Sequence, residues 1–276
     1  MSDSKYPEEN AAGRSESRSA ETNMITAAQA TKASRVSAYL KSLEPFEDEE
    51  LNRLREEAEQ NGVPIIRPET ESFLRTMLKI TKPKRILEIG TAVGYSSIMM
   101  AKACDAGIET IENYEKRIPV ARKNIGAAGL ADRIRLIEGD AGQVLKELAG
   151  KLSKENPAKK DPVPARESDR CGSEETENRQ QDGGTYDFIF LDAAKGQYLN
   201  WLPDILKLMH PGSILVTDNV LQDETVMESR YLIPRRERTT HARMREYLYE
   251  IKHHPKLSTS VLPVGDGVSL SCYCDT

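Results

Sequence analysis

Two groups of residues in this 276-residue chain have types and spacings that could do chemistry. The first is a glycine-rich turn with acidic companions. In Leu87-Glu88-Ile89-Gly90-Thr91-Ala92-Val93-Gly94-Tyr95-Ser96, Gly90 and Gly94 stand four apart, where an apolar run gives way to a helical pattern. Glycine at such a turn lets backbone come close to a ligand. The spacing is not the Gly-x-Gly-x-x-Gly of a dinucleotide cradle, which disfavours a pyrophosphate site. Glu112 ends the next apolar run, 22 residues past Gly90, where a carboxylate accepts both hydroxyls of a ribose. Glu138-Gly139-Asp140-Ala141 ends the third run with small, turning backbone suited to bordering an adenine ring. Taken singly, the glycines read better as turn tighteners and Glu112 as a solvated strand end. The three features in register point to nucleoside binding.

The second group is Asp192 and Asp218-Asn219, each at the end of a later apolar run. Two carboxylates and an amide oxygen form a hard oxygen site suited to Mg²⁺, or to Mn²⁺. The same residues also read as a helix cap and an ordinary turn pair, and pattern alone leaves both readings open. Lys195, three residues after Asp192, reads by itself as a solvated loop lysine.

The elements that must position these residues alternate in type. Helical patterns cover 26–43, 47–61 (closed at Asn61-Gly62), 69–80, 95–104, 115–128, 141–149, 197–209 and 238–253. Apolar runs at 85–89, 108–111, 134–137, 188–191 and 213–217 read as buried strands. Segments 257–262 and 267–273 close the chain as an antiparallel pair turning at Gly265-Asp266-Gly267. Short apolar runs separated by helices predict an α/β fold with a parallel sheet covered on both faces. Ligands bind such sheets at the carboxyl ends of the strands, where both groups fall. Tyr198 and Trp201 read as core packing ahead of a substrate lip, and His241, His253 and His254 as surface or phosphate-facing residues.

Composition bounds the rest. The chain is 38% hydrophobic with a net charge of −5, low in apolar content for a folded domain. Residues 1–25 and 151–184 account for the dilution, and the second stretch has only Leu152, Ala158, Val163, Ala165 and Cys171 as apolar residues. Both are expected to be disordered, because so little apolar surface cannot offset the entropy of ordering. The expected organisation is a tail over 1–25 and a single domain over 26–276 interrupted by a polar insertion. No apolar run approaches the ~18 residues that span a bilayer, and the N-terminus lacks a signal-peptide pattern. Four unevenly spaced cysteines form neither a disulfide framework nor a zinc site, so a reducing cytoplasm is expected, without a membrane partner. The acidic total argues against coating DNA.

Glu88-Ile-Gly-Thr-Ala-Val-Gly-Tyr-Ser96, the strand ending in Glu112 and Leu191-Asp-Ala-Ala-Lys195 resemble the S-adenosylmethionine-dependent O-methyltransferases of the catechol and caffeoyl-CoA type. The resemblance covers about residues 30–275, apart from 151–184. Val63-Pro-Ile-Ile66, residues 82–96, residues 186–198 and Pro263-Val-Gly-Asp-Gly267 are most similar to the bacterial tRNA 5-hydroxyuridine methyltransferase branch. The resemblance implies a class I methyltransferase, Rossmann-like sheet of seven strands, mostly parallel with the last antiparallel. It implies that Ile66, Glu88, Gly90, Gly94, Ser96, Glu112, Asp140, Ala141 and Asp192 hold S-adenosylmethionine, with Glu88 and Ser96 at the methionine end. It also implies Asp192, Asp218 and Asn219 as metal ligands, Lys195 as the base beside Asp192, and a homodimer through the N-terminal helices.

The acceptor is read from local charge. Residues 230–256 carry eight Lys/Arg against three Glu, a net +5. Arg230, Arg235, Arg236, Arg238 and Arg243 lead out of the predicted site and suit the phosphates of a structured RNA, with a solvated helix face as the competing reading. The leading expectation is Mg²⁺-dependent methylation of the 5-hydroxyl of wobble 5-hydroxyuridine in a tRNA anticodon loop, giving 5-methoxyuridine. The alternatives are O-methylation of a small catechol-like or phenolic acceptor, and a nucleoside-binding protein without catalysis.

Overall fold

The computed structural model describes residues 48–155 and 184–275, together with 35, 38–40 and 42–43. The chain divides into two units, residues 1–47 and 48–276. In the first, residues 35, 38–40 and 42 are helical and Tyr39 and Leu40 are exposed. The tail, the start of the helix over 26–43 and most of the insertion expected at 151–184 lie outside the described residues. The sheet and all the candidate site residues belong to the second unit.

Local chemistry sets the element ends. Helix α1 (Glu49–Gln60) starts where the Asp48 carboxylate accepts the amides of Glu50 and Leu51. It ends in a left-handed Gly62 (φ 62°), with Val63 N–H donating to Ala58 O and Gly62 N–H to Glu59 O. That pair of bonds satisfies the last carbonyls of the helix. Helix α2 (Pro68–Thr81) has proline in its first turn and stops at a left-handed Lys82 before Pro83. Then come β1 (Arg85–Ile89), α3 (Tyr95–Ala103), β2 (Gly107–Glu112), α4 (Ile118–Ala127), β3 (Ile134–Glu138), α5 (Ala141–Glu155) and β4 (Tyr186–Leu191). A 3-10 turn at Lys195–Gln197 leads into α6 (Tyr198–Lys207), β5 (Met209–Thr217), α7 (Arg238–His253), β6 (Leu257–Leu262) and β7 (Val268–Tyr273).

Several boundaries differ from the sequence reading, three of them by three residues or more. Helix α4 begins at 118 instead of 115, because Pro119 belongs in a first turn. Helix α5 runs to Glu155 and takes the first residues of the stretch read as loop. Strand β5 starts at Met209, not 213, since Pro211-Gly212 sits within an irregular strand, beside a register shift between Tyr186 and Phe188.

The seven strands run in the order β3-β2-β1-β4-β5-β7-β6. Pairings from β3 to β5 are parallel; β7 is antiparallel to both β5 and β6. The reversed last strand is therefore as expected. The central strands are buried on both faces. Ile86, Phe188 and Phe190 pack on one side with Leu54, Leu74, Leu78 and Ile98, while Leu87, Ile89, Ile189 and Leu191 pack on the other with Leu145, Leu202 and Tyr247. Burial on both faces is why these strands read as unbroken apolar runs. Among the described residues no helix is long and apolar enough to cross a membrane.

Candidate active site

Register brings the separate motifs to one edge. Ile89 pairs with Ile111 and Leu191, Leu191 with Thr217, and Glu112 with Glu138. Backbone bonds continue one step past the strands: Asp192 N–H donates to Ile89 O, Asp218 N–H to Leu191 O, and Gly139 N–H to Glu112 O. Gly90, Asp192 and Asp218 thus sit side by side at the carboxyl ends of β1, β4 and β5. The strand order reverses between β1 and β4, which is where an open α/β sheet forms its crevice.

Gly90 (φ 108°) carries a different constraint from the one read in sequence. A Cβ there would lie 1.9 Å from the Asp192 carbonyl oxygen. The glycine is required first by the neighbouring strand end. Gly94 (φ 88°) caps the start of α3, and Ser96 is buried in that helix's first turn. Glu88 is fully buried; its Oε2 accepts the hydroxyls of Thr110, at 2.6 Å, and Ser97, while Oε1 has no hydrogen-bond partner among the described residues. Burial pushes the Glu88 carboxyl up to about 7 against the pull of hydroxyls from Ser96, Ser97 and Thr110.

Glu112 is fixed by backbone amides. Oε2 accepts Ala92 N–H at 2.7 Å, and Oε1 accepts Asn113 N–H at 3.0 Å and Tyr114 N–H at 2.9 Å. A carboxylate held by three amides keeps lone pairs for a diol. Asp140 caps α5 through Gln143 N–H, Ala141 is buried, and a Cβ on Gly142 would meet the Trp201 indole nitrogen at 3.0 Å. Trp201 therefore flanks the Asp140–Ala141 turn, whereas Tyr198 is wholly buried in the core. Ile66 is buried, its carbonyl accepting from Arg55 at 3.1 Å. These groups suit a nucleoside with an aminoacyl end: an acceptor for a diol, a small turn for a base, and an orphaned buried oxygen near the start of the edge.

The carboxylate side is built differently. Asp218 is 1% exposed; its Oδ1 accepts Asn219 N–H at 2.8 Å and the Thr70 hydroxyl at 3.4 Å. Asn219 adopts a left-handed conformation (φ 56°) and donates its side-chain amide to Asp266. That bond uses the amide nitrogen and leaves the oxygen for another partner. Burial raises Asp218 well above the usual carboxylate range, and the nearby Asp192 raises it further. Asp192 is also raised by burial, with Lys195 pulling it down and Asp266 pushing it up. Two close carboxylates that oppose each other's ionisation, beside a free amide oxygen, form a donor set that a hard divalent cation fits. No group of three or more His, Cys, Asp or Glu side chains able to hold a metal occurs among the described residues.

Sequence reasoning missed Asp266, taken only as part of a turn. Its turn is bonded to the chain after Asn219, with Val220 N–H on Gly267 O and Leu221 N–H on Asp266 O, and a Cβ on Gly267 would strike Leu221. The signal was present in Gly265-Asp266-Gly267, but its proximity to Asn219 is a product of β5–β7 pairing. Arg243 has a role the sequence did not suggest: its guanidinium donates to Gly196 O at 2.8 Å and secures the turn carrying Lys195. Arg238 is likewise engaged, on Ile233 O at 3.0 Å, while Arg230, Arg235 and Arg236 are exposed. His241, read as a surface or phosphate-facing residue, is buried at 4% exposure because it faces the loop before α7.

The crevice lies at the strand-order reversal, with the amide-held Glu112 on one side and the paired carboxylates Asp192 and Asp218 on the other, an arrangement suited to a nucleoside-dependent group-transfer enzyme. The model of the O-methyltransferase family matches residues 37–161 and 162–273. The chain belongs to that family, and is by class an S-adenosylmethionine-dependent O-methyltransferase. It is 29% identical over 197 residues to the catechol O-methyltransferase of Niastella koreensis, covering 70% of this chain and 76% of that protein. It is 30% identical over 240 residues to the caffeoyl-CoA O-methyltransferase of Citrus natsudaidai, covering 83% and 89%. Among solved structures, an SAH-bound methyltransferase from Podospora anserina superposes with a TM-score of 0.67 at 25% identity, over 89% of this chain and 96% of that one.

Proposed function

We propose that the chain transfers a methyl group from S-adenosylmethionine to one oxygen of an acceptor with two adjacent oxygens on an unsaturated ring, a catechol-like acceptor being the first candidate. The observation that carries this reading is the pairing of Asp192 with Asp218-Asn219 one step beyond neighbouring strands, beside the edge that holds Gly90 and Glu112. A bound divalent cation, Mg²⁺ by this donor set, would supply charge that makes the acceptor hydroxyl easier to ionise. Asp192, Asp218 and the Asn219 amide oxygen would hold it. Lys195 takes the hydroxyl proton, the oxygen forms the new bond to carbon, and the carbon–sulfur bond breaks with its electron pair returning to sulfur. The protein contributes position and electrostatics, with Glu112 fixing the donor and Arg243 fixing the lysine turn.

A specific observation favours a second acceptor. Arg230, Arg235 and Arg236 are exposed on the segment that leaves Asn219, and 5-hydroxyuridine in a tRNA anticodon loop also presents two adjacent oxygens. Incubation with labelled S-adenosylmethionine and Mg²⁺, offering either total tRNA or a catechol panel, separates the two. Label in catechols alone supports the first and sinks the second; label in neither overturns the acceptor class. Activity that survives a chelator overturns the metal assignment.

A further inference from the structure

Strand β7 carries a Cys-x-Cys pair that neither half of the binding edge uses. Cys272 lies within the strand and Cys274 just past it, and the antiparallel ladder takes in both: Cys272 pairs with Ser258, and Cys274 N–H donates to Lys256 O at 2.9 Å. Residues two apart on an extended strand point to the same face. Packing along β7 follows that alternation. Val268, Leu270 and Ile214 (the residue opposite Cys272 on β5) join one core cluster, and Tyr273 packs against the other. Both cysteines are free and half-buried. Strand β6 is the sheet edge, and its Ser258 beside Cys272 is exposed, so solvent reaches the pair from that side.

We propose that Cys272 and Cys274 form a two-thiolate site for a soft, singly charged cation, Cu(I) being the physiological example. Three observations support it. First, the thiols face each other. Burial raises Cys272 above its ordinary value, and the neighbouring Cys274 thiol, hydrogen-bonded to it, raises it further. Their remaining contacts are weak: Cys272 Sγ donates to Tyr273 O at 3.8 Å and Cys274 Sγ to Cys272 O at 3.6 Å.

Second, the pair is spaced for a bridging ion and not for a disulfide. Same-face Cβ atoms two residues apart on a strand are separated by about 6.5 Å, whereas a disulfide needs about 3.8 Å. Closing that gap would break the ladder bond between Cys274 and Lys256. A cation held between two thiolates at ordinary metal–sulfur lengths spans about 4.5 Å from sulfur to sulfur, which rotation about the two Cα–Cβ bonds reaches. Third, the donor set is soft and small. Thiolates select Cu(I), Zn²⁺ or iron–sulfur clusters, and the last two take four ligands. No group of three or more His, Cys, Asp or Glu side chains able to hold a metal occurs among the described residues, whereas Cu(I) is satisfied by two sulfurs in a line.

Binding breaks two S–H bonds and forms two S–Cu bonds; both protons pass to solvent and no atom changes oxidation state. The site is independent of methyl transfer. Thr217, next to Asp218, pairs with Ser269, while Cys272 pairs with Ile214, so the thiols lie toward the opposite end of the sheet from the carboxylates.

The test titrates the reduced full chain with Cu(I), without oxygen, in competition with the chromophoric chelator bathocuproine disulfonate. The wild type should take one Cu(I) per chain and release two protons, and X-ray absorption at the copper edge should show two sulfur neighbours. Cys272→Ser and Cys274→Ser should each weaken binding about a hundredfold or more, while Cys104→Ser and Cys171→Ser leave it within about threefold of wild type. S-adenosylhomocysteine affinity, unchanged in all four variants, reports an intact fold. Wild-type copper affinity in Cys272→Ser or Cys274→Ser overturns the site, as does failure of the wild type to compete with the chelator. A third sulfur neighbour overturns the two-thiolate geometry. Exposure to oxidised glutathione, followed by mass spectrometry, tests the spacing: the pair should not lose two hydrogens to an internal disulfide, and that loss would overturn the metal site in favour of a redox pair.

Discussion

The two halves of the binding edge hold their carboxylates in opposite ways. On the β1–β2–β3 side, Glu112 takes three backbone N–H groups and Asp140 one, so charge is met by the protein's own donors. On the β4–β5–β7 side, Asp192 and Asp218 are raised by burial, and Asp218 by Asp192 as well. On the proposed reading, the first half would receive a neutral polar group such as a diol and the second a positive charge, so that one sheet edge would separate recognition of the methyl donor from activation of the acceptor.

The comparison breaks most sharply at Asp218. Asp218→Asn should lower kcat for methyl transfer by roughly 10²–10⁴ with S-adenosylhomocysteine affinity within about threefold of wild type. A large loss of cofactor affinity instead would show that the halves are not separable. Glu112→Gln tests the other side. Losing charge-assisted bonds should raise the KM for S-adenosylmethionine about 10- to 100-fold with a smaller change in kcat, read by steady-state kinetics.

Gly90→Ala strikes both halves at once, since its Cβ would overlap the Asp192 carbonyl. Strain at a left-handed position plus that overlap should cost about 2–4 kcal/mol, measured as a lower midpoint in urea unfolding. Arg243→Ala sharpens the role of the lysine turn. It should reduce kcat about tenfold with unchanged cofactor affinity, and Arg243→Lys should recover part of the loss. The smallest effect lies outside the edge. Burial alone would raise Glu71, but the Tyr95 hydroxyl, Arg75 and Arg55 hold it below its ordinary value. A carboxylate lowered in the folded state stabilises above its unfolded pKa, and that contribution disappears as pH falls through the folded value. Acid unfolding of Glu71→Gln, followed by circular dichroism, should therefore depend less steeply on pH below about 4.5 than that of wild type.

Much of the fold was legible in sequence because the central strands are buried on both faces and most helices are amphipathic, α3 being buried almost all round. Helix α7 and strand β6 fall on the predicted residues, 238–253 and 257–262. Errors came where a local signal had two readings. Pro211-Gly212 looks like a turn and sits in a strand, and Pro119 looks like an interior breaker and starts a helix. The surface reading of His241 failed because its burial depends on a loop that no helical period describes.

The sequence by itself determined the α/β alternation, the glycine turn at 90–94 and the acidic ends of the strands. Each of these is a local pattern, fixed by the 2.0- and 3.6-residue periods and by backbone sterics. Only the tertiary structure decided that Gly90 yields to the Asp192 carbonyl, that Asp266 orients Asn219 and that Arg243 secures Gly196. The last two contacts each join residues 47 positions apart. Sheet register and helix packing set such distances, and neither is written in the spacing of neighbouring residues.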